Sequence, residues 1–124
     1  MGISFDKALG VHPHTLELRA ERSKVIAGNL ANVDTPGFKA RDFDFQGAMT
    51  QVEHRLQQGQ KSTSSMLHPN ELMYRNPYNN SIDGNTVELG VEQAQFAQNA
   101  MDFETSLTFL NMKFKGLSNA IMGQ

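Results

Sequence analysis

Apolar residues recur every seven positions through the C-terminal third of the chain, and this repeat constrains the fold more than any other feature. Gln93 is the one polar interruption of the pattern. Two heptad series, four residues apart and sustained for more than four heptads, are typical of a helix that packs in a coiled coil. The sequence therefore predicts one long helix over about residues 87–122. The two series are Leu89, Phe96, Phe103, Leu110 and Leu117, and then Ala100, Leu107, Phe114 and Ile121.

The N-terminal part predicts the helix with which this one pairs. Over about residues 3–33 the pattern is helical, and Pro13 is tolerated in the first turn of a helix. One face of that helix carries Leu16, Ala20, Ala27 and Leu30. We expect this face and the two heptad series to form the coiled-coil interface of the protein. Leu18 and Val25 lie on a nearly opposite side.

The middle of the chain predicts little regular structure. A short helix is possible around Gln46 to Gln57, while residues 59–65 and 75–85 are rich in polar and turn-forming residues. The predicted fold class is mainly α, with N- and C-terminal helices paired as an elongated coiled coil and an irregular or extended middle segment. We expect a single domain over residues 1–124, made of parts 1–33, 34–85 and 86–124.

Composition excludes several function classes. The formal net charge of -2 leaves no basic stripe for nucleic acid, and without cysteine there is neither a thiol nucleophile nor a thiolate metal site. The four histidines have no spaced carboxylates around them. Asp42 and Asp44 are interpreted as solvated acids beside buried Phe43 and Phe45. We therefore expect no catalytic residue, no metal ligand, no cofactor and no small-molecule substrate.

No targeting segment is evident in the sequence. The first residues lack a basic stretch followed by an apolar core, so no cleavable secretory signal is expected. No stretch approaches the roughly 18 to 20 apolar residues that span a bilayer.

The densest local signal is the segment that runs from Asn29 to Lys39. A helix ends there, and Pro36 and Gly37 suit the two middle positions of a type II turn. Taken by itself, this segment requires nothing more than a helix stop and a chain reversal.

The run Ala27-Gly-Asn-Leu-Ala-Asn-Val-Asp-Thr-Pro-Gly-Phe-Lys-Ala-Arg-Asp-Phe-Asp-Phe45 resembles the N-terminal signature of the flagellar rod and hook proteins. The run from Asp83 to Leu89 and the heptad helix after it resemble the C-terminal part of the same family. The ending from Asn111 to Ile121 resembles that of its proximal rod member. In this chain the signature residues are Asn29, Ala31, Asn32, Thr35, Pro36, Gly37 and Phe38.

The resemblance implies a structural subunit of the proximal rod of the bacterial flagellar basal body, not an enzyme. It implies polymerisation with copies of itself and other rod proteins into a drive shaft and export channel. The other implied partners are the adaptor between the rod and the inner-membrane ring and the flagellar type III export gate. Export to the periplasmic rod would proceed through that apparatus without a cleaved signal, with Phe5 and Leu9 as the candidate export element.

Two alternatives remain at this point. Another rod or hook protein is possible, because the signature is shared across the group. A helical regulator or chaperone would account for exposed apolar helix faces but not for the turn signature.

Overall fold

The computed structural model describes residues 9–59, 72–79 and 81–123. Among these, helices predominate, and the N- and C-terminal helices pack against each other as the sequence predicts. The predicted short helix in the middle is also present. The elements in chain order are α1 (His12–Ala31), β1 (Arg41–Phe43), α2 (Phe45–Gln57), β2 (Leu72–Tyr74) and α3 (Leu89–Met122).

Local sequence explains where α1 begins and ends. Pro13 lies in the first turn, where its missing N–H costs no helical hydrogen bond. The Thr15 side chain and its amide both donate to the Val11 carbonyl, at 3.0 and 2.9 Å. At the other end the Asn32 side chain turns back and donates to the Gly28 carbonyl at 2.8 Å. The helix therefore stops immediately before the predicted turn.

The apolar core lies between α1, α2 and a two-stranded antiparallel sheet. Strand β1 pairs with β2, so that Arg41 lies opposite Tyr74 and Phe43 opposite Leu72. Buried Leu18 of α1, Phe43 of β1 and Val52 of α2 form the centre of the core, and no residue of α3 belongs to it in the described part of the chain. The sequence did not predict this sheet, because three-residue strands carry too few positions to show an alternating pattern.

Helix α3 runs antiparallel to α1. Successive contacts pair Asn29 with Glu92, Ser23 with Asn99, and Arg19 with Asp102. The helices have 20 and 34 residues, which correspond to lengths of about 30 and 51 Å. His12, the first residue of α1, lies beside Phe109 of α3, and the centroids of their rings are 6.4 Å apart. Residues 110–122 therefore extend about 20 Å beyond that level.

The faces predicted for helix pairing are only partly buried within one chain. On α1, the buried apolar residues are Leu18 and Ile26, whereas Ala27 is exposed and Leu16, Ala20 and Leu30 are half-buried. Leu18 and Val25 lie on the side opposite the predicted face. They belong to the core because α2 and the two-stranded sheet cover that side.

On α3 the buried residues are Glu92, Asn99 and Ser106, all polar. Of the predicted interface, Phe103, Leu107, Leu110 and Leu117 are half-buried, while Leu89, Phe96, Ala100, Phe114 and Ile121 are exposed. The apolar repeat is therefore not the surface on which α3 meets α1 within one chain. Hydrogen bonds and an ion pair join α1 to the polar residues of α3 instead.

Candidate functional site: the signature junction and the apolar seam

The predicted reversal at residues 35–38 is present. The Phe38 amide donates to the Thr35 carbonyl at 3.2 Å, which closes a four-residue turn. Gly37 has a φ of 73°, the left-handed value that the third position of a type II turn requires and that only glycine adopts without strain. The Gly37 amide in turn donates to the Asp83 carbonyl at 3.0 Å. The turn is thus fixed against the segment that precedes α3.

Asn85 joins the end of α1 to that segment. It is buried, and its side-chain amide donates to the carbonyls of Asn32, Val33 and Thr35 at 2.9, 2.9 and 2.8 Å. Its side-chain oxygen accepts from the Val87 amide at 2.7 Å. One side chain therefore ties three backbone carbonyls of the segment that follows α1 to the segment that precedes α3. We call residues 32–38 together with 83–86 the signature junction.

The Asp83 loop supports the junction from outside. The Asp83 carboxylate accepts from the Ser81 hydroxyl at 2.6 Å and from the Asn85 amide at 3.1 Å. These hydrogen bonds, the first foremost, hold the pKa of Asp83 below its usual value, and the positive charge of Lys39 adds to the effect. Lys39 also donates to the Gly84 carbonyl at 2.6 Å.

Further hydrogen bonds connect the junction to the two-stranded sheet. The Thr86 amide donates to the Phe38 carbonyl at 2.9 Å, and the Thr86 hydroxyl accepts from the Ala40 amide at 2.7 Å. The Arg75 amide then donates to the Ala40 carbonyl at 2.9 Å. The two segments that resemble rod and hook proteins at either end of the sequence are therefore adjacent in the fold.

A partly buried ionic network lies beside the junction. Arg22 of α1 donates to Asp42 through Nε and Nη2 at 3.2 and 3.0 Å, and Arg75 donates to the same carboxylate at 2.6 Å. Arg75 also pairs with Glu92 of α3, and the Asn29 side chain donates to Glu92 at 3.1 Å. Four segments of the chain thus meet through charged and amide groups.

Asn29 has a second role in this network. Its side-chain oxygen accepts from the Arg41 amide at 3.0 Å and its nitrogen donates to the Arg41 carbonyl at 2.7 Å. These bonds satisfy the outer edge of β1 as a neighbouring strand would. A signature residue of α1 therefore positions the extended segment after the turn.

Asp42 is ionised in this setting because of its partners. Burial is the largest single influence and acts to raise the pKa of the carboxyl group. The hydrogen bonds and charge of Arg22, the Phe43 amide and Arg75 together outweigh burial and hold the pKa below its usual value. The expectation that Asp42 is a solvated acid is therefore wrong, whereas Phe43 is buried as expected.

The other signature residues lie at the surface of the junction. Ala31 ends α1 and is exposed, as are Thr35 and Pro36, while Phe38 is half-buried. Of the candidate export element, Leu9 is half-buried and Phe5 lies outside the described residues.

The second surface feature is the apolar strip along α3, here called the apolar seam. Phe96, Phe114 and Ile121 are 40, 46 and 62% exposed. At 3.6 residues per turn, this strip lies roughly 60° around α3 from the face that meets α1. The seam consists of Leu89, Phe96, Ala100, Phe103, Leu107, Leu110, Phe114, Leu117 and Ile121.

Two features are absent from the described residues, a metal-binding group of side chains and a helix that could span a membrane. No group of three histidine, aspartate or glutamate side chains in residues 9–59, 72–79 and 81–123 is placed to hold a metal ion. Within those same ranges, no helix is both long and apolar enough to cross a bilayer.

Comparison with known proteins shows which family the sequence matches. Residues 9–39, which contain α1 and the turn, match the family model described as flagella basal body rod protein. A protein of Aeromonas hydrophila described as flagellar basal body rod protein FlgB is 41% identical, covering 100% of this chain and 99% of the relative. The chain belongs to the flagellar basal body rod protein family. Rod proteins of the same description from Cereibacter sphaeroides and Escherichia coli K12 are 39 and 38% identical, covering 97 and 94% of this chain.

Sequence reasoning found the turn of this rod protein but missed the residues that fix it. Asn85, Arg75 and Glu92 are scattered polar residues, and their partners lie far away along the chain. The one signal in the sequence is the spacing of Glu92, Asn99 and Ser106, which recur every seven residues beside the apolar series. A polar residue repeated at heptad spacing indicates a second contact face.

Proposed function

We propose that this chain is a structural subunit of the proximal rod of the bacterial flagellar basal body and has no catalytic role. It polymerises with copies of itself and with other rod proteins into the drive shaft and export channel. Membership of the rod protein family, and its similarity to flagellar basal body rod proteins over nearly the full chain, support this function. The whole chain, with its parts 1–33, 34–85 and 86–124, acts as one building unit.

The observation that carries the proposal is the exposure of the apolar seam. Within one chain α3 turns its polar residues toward α1 and leaves Phe96 40% exposed, while Phe114 and Ile121, beyond the end of α1, are 46 and 62% exposed. Fully burying one such side chain stabilises a contact by roughly 1.5 to 3 kcal/mol. A helix that keeps several of them exposed at heptad spacing is suited to packing against helices of other subunits.

The apolar faces predicted from the sequence therefore serve contacts between subunits. Leu16, Ala20, Ala27 and Leu30 on α1 and the apolar seam on α3 are the proposed coiled-coil interface of the assembly. The contact between two copies joins different surfaces, and repetition of such a contact produces a helical array instead of a closed pair. The shaft transmits torque through these packed helices.

The route and the neighbours follow from the family resemblance. The chain passes unfolded through the flagellar type III apparatus to the periplasmic rod without a cleaved signal. Phe5 and Leu9 are the proposed export element recognised by the gate. The adaptor between the rod and the inner-membrane ring is a further partner, and the signature residues of the junction are proposed to position contacts with neighbouring rod subunits.

Replacing Phe114 with aspartate tests the seam. The side chain is 46% exposed, so the isolated chain should keep its helicity by circular dichroism. Assembly should fail, because a carboxylate would be buried in an apolar contact at a cost of several kcal/mol. The measurement is swimming motility and rod formation in cells whose only copy of the protein carries Phe114→Asp.

Thr105→Asp is the matched control. Thr105 is exposed on the same helix, nine residues and about two and a half turns away, so it points to the opposite side. It adds the same charge outside the seam, and cells that carry it should swim normally. Normal swimming with Phe114→Asp would contradict the proposed function.

A further inference from the structure

Helix α3 has two contact faces of opposite character. The face toward α1 carries Glu92 and Asn99, both 0% exposed, and Ser106, which is 9% exposed. The seam beside it is apolar, and its residues are exposed or half-buried. An amphipathic helix ordinarily turns its apolar side inward and its polar side outward, so the arrangement within this chain is the reverse.

Specific polar contacts hold α1 on the polar face. The Asn99 side-chain nitrogen donates to the Arg19 carbonyl at 2.9 Å and to the Ser23 hydroxyl at 2.7 Å. Arg19 pairs with Asp102 at 3.2 Å, and Arg22 donates to Gln95 at 2.9 Å. We call Glu92, Gln95, Asn99, Asp102 and Ser106 the polar strip.

The polar strip is not optimised for stability. The Asn99 side-chain oxygen and Arg19 Nε are buried and have no hydrogen-bond partner among the described residues. Burial lowers the pKa of Arg19, the nearby Arg22 lowers it further, and Asp102 opposes both effects. Partly satisfied buried polar groups stabilise a contact less than well-packed apolar side chains of similar volume.

An apolar alternative lies close by on the same helix. Phe103 follows Asn99 by four residues, which places it about 40° around the helix. A modest rotation of α3 about its axis would bring Phe96, Phe103 and Leu107 against α1. Nonspecific apolar packing therefore competes with the observed pairing for the same partner.

We propose that the polar strip decides which face of α3 receives α1. Hydrogen bonds and ion pairs have fixed geometry, so the strip accepts α1 in one rotation and one register, as a single buried asparagine does in coiled coils. The apolar seam is thereby withheld from α1 and left free. This assignment concerns one chain and holds independently of which partner covers the seam.

The test measures the rotation of α3 against α1 in the full chain. The protein has no native cysteine, so spin labels can be attached at Lys24→Cys and Gln98→Cys, both exposed positions. Gln98 precedes Asn99 by one residue, about 100° around the helix on the side away from the seam, so rotation of α3 moves its label relative to α1.

Double electron–electron resonance should give one narrow distance between the two labels. In the Asn99→Leu background a second distance should appear, and the ratio of native to rotated pairing should fall about tenfold.

Thr105→Leu in the same labelled chain is the control, because it adds a leucine on an exposed part of α3 and should leave the single distance unchanged. An unchanged single distance in the Asn99→Leu chain, or the absence of a defined distance in the unsubstituted chain, would overturn the proposal. Should Asn99→Leu prevent folding, Asp102→Leu decides the matter, since Asp102 is partly exposed and tolerates leucine. A second distance there supports the proposal, and an unchanged one overturns it.

Discussion

Asp42 receives two arginines at a place where burial alone would favour the neutral acid. The carboxylate bridges Arg22 of α1 and Arg75, which follows β2. Because its pKa is lower in the folded chain than in the unfolded chain, its ionisation stabilises the fold at pH values above the unfolded value of about 3.9. That contribution is lost as the pH falls through the lower folded value.

Asp42→Asn should reveal this dependence. At pH 7 the free energy of unfolding, measured by urea titration, should fall by roughly 2 kcal/mol, since hydrogen bonds to charged groups are lost. As the pH is lowered below 4 the difference from the unsubstituted chain should shrink, because the native carboxyl also becomes neutral. A difference that stays constant from pH 7 to pH 2.5 would show that Asp42 acts through shape alone.

Single residues also show where sequence patterns fail. The helical pattern places Leu18 and Val25 on a minor side of α1, yet they belong to the core. An apolar stripe shows that a helix has a face suited to packing, but it does not say whether that face meets the same chain or another. Buried Glu92 and Asn99 could not be recognised as contact residues, because their burial depends on partners 63 and 76 positions away in sequence.

At the scale of elements, one side chain joins the chain after α1 to the chain before α3. Asn85 donates to carbonyls at the end of α1 and accepts from Val87 just before α3. The junction thereby sets the angle at which the chain enters α3. Helix boundaries were predictable because proline, glycine and the turn residues are local signals, whereas this long-range capping has no local pattern.

Asn85→Ala should therefore weaken the whole fold. The Val33 carbonyl would lose its one described donor and the carbonyls of Asn32 and Thr35 would each lose one of two, so the free energy of unfolding, measured by thermal denaturation, should fall by about 2 kcal/mol. Asn85→Asp should be at least as damaging, because it keeps the acceptor for Val87 but presents an oxygen to the carbonyls. Asn76→Ala, at an exposed loop position, is the control and should have little effect. Equal stability of the Asn85 and Asn76 variants would exclude the capping role.

At the scale of the whole molecule, three kinds of contact are separated in space. An apolar core joins α1, α2 and the two-stranded sheet, and polar contacts join α1 to α3. The residues of the apolar seam of α3 are exposed or half-buried. Helical content and the pairing of the N- and C-terminal helices were predictable from heptad spacing and helical periodicity. The assignment of faces was not, because one sequence does not record which surfaces are covered by other subunits.

The part of α3 beyond α1 separates folding from assembly. The hydrogen bonds and ion pairs described between α1 and α3 involve α3 residues no later than Asp102, and the ring contact of His12 is with Phe109. A chain that ends at Met112 should therefore unfold within a few degrees of the full chain when monitored by circular dichroism. It should nevertheless fail to support motility, since Phe114, Leu117 and Ile121 of the seam are removed.

A full-length chain with alanine at those three positions separates helix length from apolar contact, and it should also be non-motile. If the shortened chain assembled, the seam beyond Met112 would have no part in the rod; if only the alanine chain assembled, length would matter more than apolar surface.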